Sequence, residues 1–139
     1  MRRRLGMTGL RPGMILLAGL LVGVSGTASA ADFPFEKELL LDVRAMLGSK
    51  RVPSLEVEAG GLATLDLWCN SLKAQLTVAN GAVSFALGDK TDRPCTADRV
   101  SADDAILATL AKVTSWRQEG GLLVLEGGDK PLRFRPSTN

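Results

Sequence analysis

The residues best equipped for chemistry in this chain are its two cysteines, Cys69 and Cys95. A cysteine can act as a nucleophile, bind a metal or close a disulfide. Nucleophilic or redox use requires a thiolate, and the chain has no Cys-x-x-Cys arrangement and no histidine to depress a thiol pKa. A tetrahedral zinc site needs four ligands, which two cysteines without histidine or a neighbouring carboxylate cluster cannot supply. An even pair in an exported protein reads first as a disulfide, with a redox-active pair as the alternative. The absence of histidine also removes the Ser-His-Asp and Cys-His arrangements. No catalytic residue, cofactor-binding residue or metal ligand is therefore expected, and the chain does not read as an enzyme.

Export is indicated by residues 1–30. Arg2, Arg3, Arg4 and Arg11 give a positive start, Met14 to Val24 is an apolar run, and Ala28-Ser29-Ala30 has the small-x-small form of a cleavage site. This reads as a secretory signal peptide cleaved after Ala30, the ordinary secretory route being favoured over the twin-arginine one. An uncleaved anchor is the alternative, but the run falls short of the ~20 residues that span a bilayer. The expected mature protein, residues 31–139, is a single periplasmic or secreted domain without a membrane span. The leader holds four of the 17 basic residues and none of the 15 acidic ones, so the formal charge of +2 becomes −2. A mildly acidic domain without a basic cluster is not expected to bind nucleic acid.

The mature sequence alternates short strands with turns. From Leu72 to Leu87, Asn80-Gly81 predicts a two-residue hairpin with a type I′ turn, setting Val78 opposite Val83, Leu76 opposite Phe85, Ala74 opposite Leu87 and Thr77 opposite Ser84. Leu55 and Val57 share one face of a strand over Ser54 to Glu58. Leu65, Leu67 and Cys69 share another after Gly60-Gly61, which makes Cys69 core-facing at a strand end. Glu38 to Val43, with its Leu39-Leu40-Leu41 run, is read as a strand, although a helical turn is open. Ser101 to Val113 has helical spacing in Ile106, Leu107, Leu110 and Val113, and Ser101 with Asp104 resembles a capping box. The small residues Ala102, Ala105, Ala108 and Ala111 would let this helix sit close to a sheet. Further strands follow over Ser115 to Glu119, Leu122 to Glu126 and Pro131 to Arg135. The expected fold is α+β but mostly β: a small, partly open antiparallel barrel of about eight short strands with one helix packed on it and no long loops.

Cys69-Asn70, Thr91-Asp92-Arg93-Pro94-Cys95 before the helix, Leu110 to Trp116, Gly121 to Leu125 and Leu132-Arg133-Phe134 resemble, in order and spacing, the META domain of the heat-shock protein HslJ group. The resemblance runs from about Lys37 to Phe134. It implies a compact barrel with one helix, found in bacterial envelope proteins and not known as an enzyme fold, with members linked to heat stress and novobiocin resistance. The chain departs from the pattern at Trp68, where glycine is common, and at Leu39 to Leu41, where a tryptophan is usual. In this frame a Cys69–Cys95 bond would pin the start of the helix to the barrel.

Asn70 and Thr91 carry the family motif. Both could line a recognition site, but Asn in left-handed geometry after a strand and Thr at a loop start are ordinary local hydrogen-bonders. Trp68 is the candidate surface contact, an interface anchor if exposed and a barrel-edge packing residue if not. The favoured function is a non-catalytic envelope protein in stress or antibiotic tolerance that binds another, unidentified envelope protein. A carrier of a small apolar ligand within the barrel is the alternative.

Overall fold

The computed structural model of the chain describes residues 28–138, together with Gly6, Gly9 and Gly13. The apolar run of the expected leader lies outside the described residues. A 3₁₀ turn at Ala30–Asp32 leads into eight strands, β1 (Glu38–Leu41), β2 (Ser54–Val57), β3 (Leu62–Asp66), β4 (Ser71–Val78), β5 (Val83–Leu87), β6 (Ser115–Glu119), β7 (Leu122–Glu126) and β8 (Leu132–Pro136). Helix α1 (Ala97–Lys112) connects β5 to β6. All strand pairs are antiparallel, in the order β5-β4-β3-β2-β1-β8-β7-β6.

The sheet curls until its edge strands meet at one end. Ala82 bridges Ser115, the Val83 N–H donates to the Thr114 carbonyl at 3.1 Å, and the Trp116 N–H donates to the Gly81 carbonyl at 3.1 Å. Helix α1 packs against β5 beside this seam and adds Ile106 and Leu110 to the core. The result is a nearly closed barrel of eight antiparallel strands with one helix, in keeping with the small, partly open barrel expected. The Leu39 to Leu41 strand lies between β2 and β8 and has no free edge.

Alternation explains the register. Leu72, Ala74 and Leu76 of β4 are buried while Lys73, Gln75 and Thr77 are exposed, so a one-residue slip would drive Lys73 into the core. The hairpin pairs Val78 with Val83, Leu76 with Phe85, Ala74 with Leu87 and Thr77 with Ser84, as its sequence predicts. Its turn differs from type I′, because only Gly81 has positive φ, at 69°. In the uncleaved chain the Asn80 Oδ1 also accepts the Ala30 N–H at 2.8 Å, a contact that cleavage after Ala30 would remove. Successive pairings also align Leu39, Leu55, Leu65 and Leu72 in one buried row across four strands. Burying each such side chain is worth about 1.5–3 kcal/mol. At the seam end, Trp116 stacks edge-on against Phe33, with centroids 5.1 Å apart, and its Nε1–H donates to the Ala79 carbonyl at 2.9 Å.

Three local expectations are corrected. The helix begins at Ala97, four residues before Ser101, so Ser101 and Asp104 are not its cap; Thr96 occupies that position, and Asp104 pairs with Lys90. Asp98 sits in the first turn, where the helix dipole favours a carboxylate. The buried face is Asp103, Ile106 and Leu110, whereas Ala105, Ala108 and Ala111 face solvent and do not form a close-packing stripe. Finally, long connections exist. With β1 ending at Leu41, residues 42–53 form a twelve-residue β1–β2 loop, and residues 88–96 join β5 to α1. On the outer surface Arg117 pairs with Glu119 and Glu126, and its hydrogen bond holds the Glu119 carboxyl below the usual carboxylate range.

Candidate functional site

The motif residues converge at the β3–β4 turn. Strand β3 ends at Asp66, and the chain reverses through Leu67 to Asn70, the Leu67 N–H donating to the Asn70 carbonyl at 2.8 Å. Cys69 therefore lies in the turn and not at the end of a strand, although it is buried there. A tight turn leaves backbone N–H groups without ladder partners, and buried donors of this kind need an acceptor. The acceptor is Asp103. The N–H groups of Trp68 and Asn70 reach its carboxylate at 2.8 Å each, and that of Cys69 at 3.1 Å. Asp103 is wholly buried, and its two oxygens accept these three backbone N–H groups.

Asn70 and Thr91 complete a second layer. The Asn70 Oδ1 accepts from the Thr91 Oγ1 at 2.8 Å and from the Arg93 N–H at 2.8 Å. Thr91 Oγ1 in turn accepts the Ser71 N–H at 3.1 Å, and the Thr91 N–H donates to the Ser71 carbonyl at 2.9 Å. These bonds hold the β5–α1 loop against β4. Asn70 is not left-handed, since Glu36 alone has positive φ among the described non-glycine residues. Its side chain, with its carbonyl aimed across the turn, does the local bonding. The Cys69–Cys95 disulfide joins the same two segments, with Cα atoms 6.0 Å apart. The turn, the loop and the middle of α1 are thus fastened by one carboxylate, one carboxamide and one covalent bond.

Trp68 is neither a free surface anchor nor a core residue. It is half-buried, packs against the hydrophobic cluster, and lines a cleft of about 380 Å³ beside the turn. Ser49, Lys50 and Arg51 of the β1–β2 loop also line it, as do Arg93 and Arg99. Among the described residues Asp66 is the one acidic residue in the lining. Sequence reasoning missed both Asp103 and this cationic rim, whose members are scattered between positions 50 and 99. Among the described residues no group of three or more His, Cys, Asp or Glu side chains is placed to hold a metal, and no helix is long and apolar enough to cross a membrane.

Comparison with known proteins places this arrangement. No curated protein matches the chain. A solved structure from Burkholderia xenovorans, determined by NMR, superposes with a TM-score of 0.60 at 18% identity, covering 95% of this chain and 100% of that one. A DUF4847-family protein from Bacteroides vulgatus gives a TM-score of 0.48 at 15% identity, covering 60% of this chain and 57% of that chain's length. The family model of the META domain matches residues 39–139, which takes in every strand from Leu39 onward, the clamped turn, the disulfide and the helix. This chain belongs to the META domain family.

Proposed function

We propose that this protein is a non-catalytic component of the bacterial envelope that acts by binding another envelope protein, in tolerance of heat or of novobiocin-type antibiotics. The observation that carries this reading is the clamp itself: the motif residues Cys69, Asn70, Thr91 and Cys95 are spent on holding a turn and a loop together, which leaves a rigid display surface around Trp68. The Cys69–Cys95 bond fits an oxidising compartment, in keeping with the leader. A carrier role is less well supported, because Leu39, Leu55, Val57, Leu65 and Leu125 fill the barrel interior at 1% exposure or less. Deletion of the gene, followed by heat and novobiocin challenge and by complementation, tests the reading. The expected result is sensitivity restored by the wild-type chain, with a stoichiometric partner captured from envelope extract. An unchanged deletion strain would overturn the stress role, and copurifying apolar ligand without a protein partner would favour the carrier.

A further inference from the structure

The cleft beside Trp68 has an electrostatic character that the clamp does not require. Lys50, Arg51, Arg93 and Arg99 line it, and none of their side chains makes an ion pair among the described residues. Four cations line it against the one lining carboxylate of Asp66, with Asp103 buried behind the turn, and the adjoining cleft adds Arg135 to Lys50 and Arg51 against Glu38, so this side is cation-rich in a domain, residues 31–139, whose formal charge is −2. Converging like charges repel one another, so their arrangement around a cleft costs stability unless an anion neutralises them.

The walls are held in place. Arg93 follows the Thr91–Asn70 bond and its own N–H is fixed on Asn70, while Arg99 stands in the first turn of α1 just past the disulfide. Arg99 also packs over Gly48, where its Nη2 would stand 3.6 Å from an added Cβ, so the helix and the β1–β2 loop meet across the cleft. Guanidinium groups are suited to oxyanions because their N–H donors match two oxygens at once. Trp68 offers an apolar wall for the remainder of a ligand, and a volume of about 380 Å³ exceeds what a bare ion fills.

We propose that this cleft is a binding site for a phosphate ester, with Arg93, Arg99, Lys50 and Arg51 holding the phosphate oxygens and Trp68 covering the attached group. The same chemistry is presented by a soluble phosphate ester and by a phospholipid headgroup. The β1–β2 loop separates these sources, since Leu47 is fully exposed at its tip and Val43 is 46% exposed at its start. A lipid would engage Leu47 as well as the cations; a soluble ester would not.

The test uses the oxidised, ¹⁵N-labelled mature protein. Titration with glycerol phosphate should shift the amides of Ser49, Lys50, Trp68, Arg93 and Arg99 saturably, with weaker binding at higher salt. The Arg93→Ala/Arg99→Ala variant should lose at least tenfold in affinity, while Lys37→Ala/Lys130→Ala, an equal charge change elsewhere, should lose less than twofold. Lys50→Gln/Arg51→Gln, on the exposed loop, repeats the test should the first variant fold poorly. Vesicles of phosphatidylglycerol, compared with phosphatidylcholine, form the second arm: binding lost in both Arg93→Ala/Arg99→Ala and Leu47→Ser assigns the lipid source. Glycerol phosphate binding that Leu47→Ser leaves intact, without vesicle binding, assigns the soluble one. Absence of saturable shifts in both arms, equal losses in the control variant, or binding of a glutamate-rich peptide but not of phosphate would overturn the proposal.

Discussion

Replacement of Asp103 by alanine is expected to destabilise the domain by about 3–5 kcal/mol. Among the described residues the Asp103 carboxyl is the side-chain acceptor for the N–H groups of Trp68, Cys69 and Asn70, and it is completely buried. A buried donor left without a partner costs about 1–3 kcal/mol, and partial admission of water keeps the sum below three times that value. For a domain with a total stability of about 5–15 kcal/mol this is a large fraction. The melting temperature should fall by at least about 12 °C. Asp103→Asn keeps the volume but turns an NH₂ group toward the donors, so it should recover less than half of the loss. Calorimetry on both variants checks this, and a change below about 1 kcal/mol for alanine would show that the turn does not depend on the carboxylate.

Loss of the disulfide should have an effect of similar size through a different route. Closing a loop with a separation of 26 residues restricts the unfolded chain by about 3.5 kcal/mol on the chain-entropy estimate. Urea unfolding of the Cys69→Ala/Cys95→Ala double variant should therefore show a midpoint lowered by roughly 2 M, with a slope no smaller than that of the oxidised wild type because the uncrosslinked chain is less compact. A midpoint within 0.3 M of the oxidised wild type, taken as roughly the scatter of such an extrapolation, would mean that the bond contributes nothing that the Asp103 and Asn70 contacts do not already supply.

The hairpin from Leu72 to Leu87 was legible because two signals coincide there, strict alternation and an Asn-Gly tip, and a slip in register would bury Lys73. The start of the helix was not legible, because Thr96 and Ser101 are both good N-cap residues and only tertiary contact chooses between them. Nor was Asp103, since a charged residue near a helix start is usually solvated. Its position was the available clue: it precedes Ile106 by three and Leu110 by seven, which places a carboxylate on the apolar face. The cationic cleft had no local signature, because its residues come from a loop, a turn and a helix that only the fold brings together. Trp68, singled out as a departure from the family pattern, does border that cleft, but half-buried.

The META motif builds a rigid clamp around the buried Asp103 side chain, and native-state hydrogen exchange on the oxidised mature protein tests this most directly. Amides in an ordinary surface turn exchange through local fluctuation. Here the N–H groups of Trp68, Cys69 and Asn70 should exchange only with global unfolding, as slowly as those of Leu55 and Leu65 in the barrel core. Exchange of those three amides at loop rates, while the core strands stay protected, would contradict the clamp.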